Sequence, residues 1–117
     1  MELNNEFMGD VLGVKLYRST MAKHQTIFYN YTDSKIDIDT ESLYETMSTI
    51  KKWASVRDYI LSSFLTGCSV YKKGDGLDNP LFNTGIAIGF HDCNIEFEAV
   101  YKAGLWVFEK LKEHNND

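Results

Sequence analysis

A chain of 117 residues with 44% apolar and 14% aromatic side chains holds material for one compact core and too little for two. Its 17 acidic against 12 basic side chains leave a net charge of −5, which repels a phosphate backbone and argues against general nucleic-acid binding. No run of about 18 apolar residues occurs, and the opening MELNNEFMGD carries acids where a secretory leader needs basic and apolar stretches. A single cytoplasmic domain over residues 1–117, without a membrane span, is therefore expected.

Leu3, Phe7 and Met8 predict a short helical turn ended by Gly9. Two strands follow, Gly13 to Arg18 and Thr26 to Tyr31, in which Val14 and Leu16, or Ile27, Tyr29 and Tyr31, share one face. A helix over about 40–54 is read from Leu43, Met47, Ile50 and Ala54, with Asp39 or Thr40 at its start and Lys51 and Lys52 near its end. Across Val56 to Lys72 the residues Val56, Ile60 and Phe64 fit a helix, whereas the β-branched and aromatic content around Gly67 fits a hairpin. Two strands is the reading taken.

The Gly- and Asp-rich stretch Lys72 to Pro80 reads as a surface loop, longer than the usual connection, and as a tolerated insertion ahead of a mobile flap. From Phe82 to Phe90 the alternation sets Phe82, Ile86, Ile88 and Phe90 on one face and Gly85, Ala87 and Gly89 on the other, a small-residue strip suited to a closely packed helix. A helix over 94–113 closes the chain, with Phe97, Val100, Tyr101, Gly104, Val107, Phe108 and Leu111 in one stripe. Asp92 or Asn94 can cap it, and Glu98 with Lys102 forms a four-residue ion pair on its wet side. The fold class read from these elements is α+β: an antiparallel sheet of four to five strands packed against two main helices, about 40–54 and 94–113.

Two segments, Asn5-Glu6-Phe7-Met8-Gly9 and Ile95 to Leu111, together resemble small phage and prophage proteins of unknown function, similar to the phage-type α-β-α sandwich domains. Those proteins open on EFMG, continue with a Trp/Tyr-rich helix and close with a helix of the pattern KIEAVYxAxxxFIxW. Here Leu43 to Lys52 takes the place of the middle helix, with Tyr44 where the family has a tryptophan, and Phe97-Glu98 is inserted in the Ile-Glu-Ala run. The resemblance implies a viral or prophage origin and a small accessory role in infection, with no catalytic residues to carry over.

Chemistry-bearing residues are sparse. Cys68 and Cys93 read as reduced thiols of a packed interior, and His24, His91, Cys68 and Cys93 lack the paired spacing of a structural zinc site; the His91-Asp92-Cys93 run reads as a helix cap beside a thiol. Gly74-Asp75-Gly76 has no following helix to hold a phosphate. No catalytic residue, metal or cofactor is expected, and the reading is of a protein that binds without catalysing.

For a small anionic, nucleotide-like signalling ligand, the candidates are the two arginines and their aromatic neighbours: Arg18 with Tyr17, and Arg57 with Trp53 and Tyr59. On that reading the protein sequesters a cyclic-nucleotide messenger, and an exposed aromatic surplus, Trp106 for instance, suggests a homo-oligomer. The alternative is an acidic inhibitor that blocks a host defence protein or nuclease through a face around Tyr29, Tyr31, Asp33, Asp37 and Asp39.

Overall fold

Asn4 starts the first helix because its side-chain Oδ1 accepts the Phe7 backbone N–H at 2.9 Å, satisfying a donor that the first turn leaves open. In the computed structural model, which describes residues 3–13, 16–22, 25–30, 35–38, 40–64, 67–85 and 93–115, α1 runs Asn5–Leu12. It passes straight through Gly9, which is buried, and stops at Gly13, whose φ of 72° is the left-handed conformation that ends helices. The expected break at Gly9 thus falls one turn later, since Phe7, Met8 and Val11 form a buried stripe that needs the second turn.

A first sheet follows, antiparallel in the order β1 (Leu16–Ala22), β2 (Gln25–Asn30), β3 (Lys35–Ile38). With Gly13 capping α1, the first strand starts later than the sequence suggests and reaches further, to Ala22. Its third strand, β3, lies where the sequence showed only a cluster of acids. The helix α2 spans Thr40–Val56 and buries Thr46, Met47, Ile50, Trp53 and Ala54. It ends on Asp58, a non-glycine residue at φ 69°, after the N–H groups of Arg57 and Asp58 donate back to the carbonyls of Ala54 and Ser55.

The second sheet, in the order β4 (Tyr59–Phe64), β5 (Gly67–Lys72), β6 (Phe82–Gly85), is also antiparallel. The hairpin reading of this region holds, with Gly67 opening β5. Residues 86–92, including the expected continuation Ile86 to Phe90, His91 and the candidate cap Asp92, lie outside the described residues. Between β5 and β6 the chain is exposed from Lys73 to Leu81, with Gly74 and Gly76 at φ 90° and 78°, as a surface loop requires. The final helix, α3, runs Cys93–Asn115, so Asn94 sits inside its first turn.

The predicted single sheet of four to five strands on two helices is therefore corrected: the described residues form two three-stranded antiparallel sheets and three helices, within an α+β fold. The physical reason is α2, which follows β3 and sends the chain back as β4 beside a different neighbour. Crossing all three strands of the second sheet, α3 packs against α2, and α2 runs along β4. Each strand of the second sheet thus has an inner side under the helices, and the Cα envelope measures 42 × 39 × 19 Å, about two layers thick.

Two stripes of α3 are buried where the sequence showed one. Phe97, Tyr101, Gly104 and Phe108 face α1 and α2: Phe7 meets Tyr101 and Phe108 at ring separations of 5.8 and 5.5 Å. The neighbouring positions 96, 99, 103 and 106 face the second sheet. There Glu96 accepts from Ser63 at 2.8 Å, the Ala99 carbonyl accepts from Thr84, and Trp106 stacks on Phe82 at 5.4 Å with an interplanar angle of 11°. The expected exposed surplus at Trp106 is corrected accordingly: the ring is half-buried against the sheet, edge-on to Tyr59 at 6.4 Å. Thr84, the buried polar residue of β6, accepts the Cys68 N–H at 3.0 Å and shares its proton between the carbonyls of Cys68 and Ala99, each at 3.2 Å.

Candidate functional site

Of the five residues read as a ligand site, Trp53 on α2 and Arg57, the residue that follows its last turn, come together four positions apart. The Arg57 guanidinium lies over the indole at 4.5 Å from its centroid and donates to the Trp53 carbonyl at 3.0 Å. A third partner, absent from the sequence reading, is Asp10 of α1. Its Oδ2 accepts the Trp53 Nε1–H at 2.8 Å and pairs with Arg57 at 3.3 Å. A carboxylate already stands where a ligand phosphate would meet the guanidinium. Nothing local could have pointed to it, because 43 residues separate Asp10 from Trp53.

Tyr59 belongs elsewhere: buried on β4, it lies under Lys72 Nζ at 4.3 Å and against Trp106. Tyr17 and Arg18 lie on β1, where Arg18 pairs in register with Tyr29 and Tyr17 falls at a register shift; their side chains lie outside what the structure describes. The acidic face proposed as an alternative is placed only in part. Register sets Ile27 opposite Asp37 and Tyr29 opposite Lys35, while Tyr31, Asp33 and Asp39 lie outside the described residues.

Among the described residues no group of His, Cys, Asp or Glu could hold a metal ion. His24 and His91 are outside them, and Cys93 opens α3 with its side chain not described. Cys68 is a free, buried thiol. Burial pushes it up from 9.0 to about 11, with Lys51 lowering it and Glu96 raising it by less. The folded state therefore holds this proton more tightly than the unfolded chain, so its contribution is complete below pH 9.0 and is lost as pH rises towards about 11. The urea midpoint is expected to fall across that window in the wild type and to fall less in Cys68→Ala. At pH 8, mass mapping should find Cys68 alkylated by iodoacetamide only after denaturant is added.

The second sheet presents an open face on the side away from α3. By register its first row is Ile60 and Tyr71, continued by Leu81, whose N–H donates to the Val70 carbonyl at 2.7 Å. The second row is Ser62, Ser69 and Asn83, the last two hydrogen-bonded to each other, and Phe64 lies over Gly67. No residue in these rows is charged. Ile60, Phe64 and Leu81 are 37%, 56% and 49% exposed, and Val56 and Leu77, in the adjoining segments, are 80% and 62% exposed.

A cleft of about 270 Å³ adjoins this face, lined by Ser48, Lys51, Lys52 and Ser55 of α2 and by Ile60 and Leu61 of β4. The sequence reading treated the two lysines as complements to a helix end. Their place beside a sheet edge follows only from strand order.

No helix among the described residues is long and apolar enough to cross a membrane. Comparison with protein families, with curated proteins and with solved structures finds no match, so function is read from the chain's own geometry.

Proposed function

We propose that the protein works without catalysis, as a small accessory protein that holds a partner protein by direct contact through the open face of β4, β5 and β6. The observation that carries this reading is the uncharged, partly apolar character of that face on a molecule of net charge −5. Three strands about 4.8 Å apart, two of six residues and one of four, cover at most roughly 14 by 20 Å, somewhat under about 300 Å², close to the size of patch that on a monomer is often functional. A stable complex buries about 800 Å² per partner, so the contact extends onto the neighbouring Val56 and Leu77.

Tyr, Ser and Asn beside exposed Phe, Ile and Leu suit such a contact, since aromatics anchor and small polar residues fit at low entropic cost. This reading stands ahead of nucleotide sequestration because the Arg57 guanidinium is already paired with Asp10. The resemblance to phage proteins supports a host defence protein as the partner and the host cytoplasm as the place of contact.

The test is a photo-cross-linking residue placed at Ser62, in the middle of the face, and in parallel at Lys102, on the exposed side of α3. A discrete protein adduct from position 62 alone is the expected result. Matching adducts from both positions, or none from position 62, would overturn the assignment.

A further inference from the structure

We propose that the cleft between α2 and β4 takes an extended acidic segment of a partner protein, which adds to β4 as a fourth strand. The strand order makes β4 an edge, paired with β5 on one side and with no strand among the described residues on the other. Successive residues of a strand point to opposite faces, so a cleft bordered by both Ile60 and Leu61 must run along the backbone edge itself. The N–H and C=O groups of β4 that point away from β5 have no strand partner among the described residues.

The other wall supplies the sign of the partner. Ser48, Lys51, Lys52 and Ser55 recur at three- and four-residue spacing on one side of α2, and no acid lines the cleft. Three lysines of α3 are matched, Lys102, Lys110 and Lys112 each pairing with a glutamate at 3.1, 3.3 and 2.8 Å, and Lys72 lies over the Tyr59 ring. Among the described residues neither Lys51 nor Lys52 has an ion-pair partner. Two unmatched ammoniums and two hydroxyls beside an open strand edge, on a chain of net charge −5, fit carboxylates brought by a strand. The strand's period of two adds a pattern: side chains towards α2 are acidic, and alternate ones, beside exposed Ile60 and Phe64, are apolar.

The probe is a fluorescein-labelled heptapeptide alternating glutamate and valine, followed by anisotropy at near-physiological salt with the full-length protein. Controls are the same peptide with lysine for glutamate and the same peptide with alternate amides N-methylated. Both controls are expected to bind at least about tenfold more weakly, and amide hydrogen exchange should slow along β4 with the parent peptide alone. The double variant K51E/K52E is expected to weaken binding at least about tenfold, and the neutral K51Q/K52Q, which guards against a folding defect of the reversal, to weaken it by less.

Equal binding of the N-methylated peptide would reduce the site to a charge contact and overturn strand addition. Equal binding of the lysine peptide, protection away from β4, or no binding would overturn the proposal outright. Tyr71→Glu, one strand in from the edge on the open face, is expected to leave peptide affinity within about twofold while abolishing the Ser62 adduct, so the edge and face readings fail separately; a larger loss of peptide affinity overturns the edge assignment.

Discussion

Phe7→Ala is expected to destabilise the protein by about 4 kcal/mol, read as a lowered urea midpoint with an unchanged slope. Phe7 has no exposed surface and sits at the centre of an aromatic group: edge-on to Trp53 at 5.2 Å and 78°, and tilted against Tyr101 and Phe108. Removing a buried phenylalanine ring costs roughly 3–5 kcal/mol, and each aromatic pair adds on the order of 1 kcal/mol beyond its area.

The loss also reaches α1 as a whole. At 8 residues, α1 is shorter than the about 12 to 15 residues at which an isolated helix becomes even marginal, so it persists through docking. Against a total stability of roughly 5–15 kcal/mol, the variant stands near unfolding at 37 °C. Phe7→Leu, which keeps most of the volume, should cost about 1–2 kcal/mol. A Phe7→Ala protein within about 1 kcal/mol of wild type would contradict this account of the core.

Gly67→Ala is expected to cost about 2 kcal/mol, although alanine in a strand is ordinarily favoured over glycine by roughly 0.5–1 kcal/mol. A Cβ at this position would lie 2.5 Å from the Thr84 carbonyl oxygen and 2.8 Å from the Phe64 ring. The ring is half exposed and can turn away. The carbonyl cannot, because β6 is held to β5 by the Gly67 to Gly85 register and by the Cys68 N–H on Thr84 Oγ. Something in the β5–β6 ladder must shift, and overpacking of this kind costs roughly 1–3 kcal/mol. Hydrogen exchange should speed up at the amides of β6 and spare those of α2. Unaltered stability would show that the two strands are looser than their register implies.

The parts of the fold legible in the sequence are those set by short-range periodicity. The stripe from Phe97 to Leu111 carries large apolar residues at helical spacing, and all but the half-buried Leu111 are buried. The second buried stripe of α3 escaped notice because Glu96, Ala99 and Ala103 are small or polar, and small size is what lets a helix lie close to a sheet. The hairpin was legible in the β-branched and aromatic content of residues 59–72.

Division into two sheets was not legible, since it depends on which strands meet after α2 has intervened. The same limit applies to the sites. Trp53 and Arg57 are four apart in sequence and were read as one candidate group, whereas Asp10 arrives from another helix and Tyr59 turns to the opposite layer. Lys51 and Lys52 stood out as helix-end charges, but only β4's place at an edge gives them a cleft to line.

Asn4 donates its N–H to the Tyr101 hydroxyl at 2.7 Å across 97 positions of sequence, and Glu6 meets Lys112 across 106. The helix α1 therefore has its seat on α3, which leaves the ribosome about a hundred residues later. At about 5–20 residues per second, several seconds pass in which Phe7, Met8 and Val11 are synthesised but have no surface to cover. Loop closure over such distances raises the barrier to forming the core, so the nascent chain waits for α3 and closes in a late, cooperative step. During that interval the greasy face of α1 is open to chaperones, and the cell sees an unfinished core until α3 emerges.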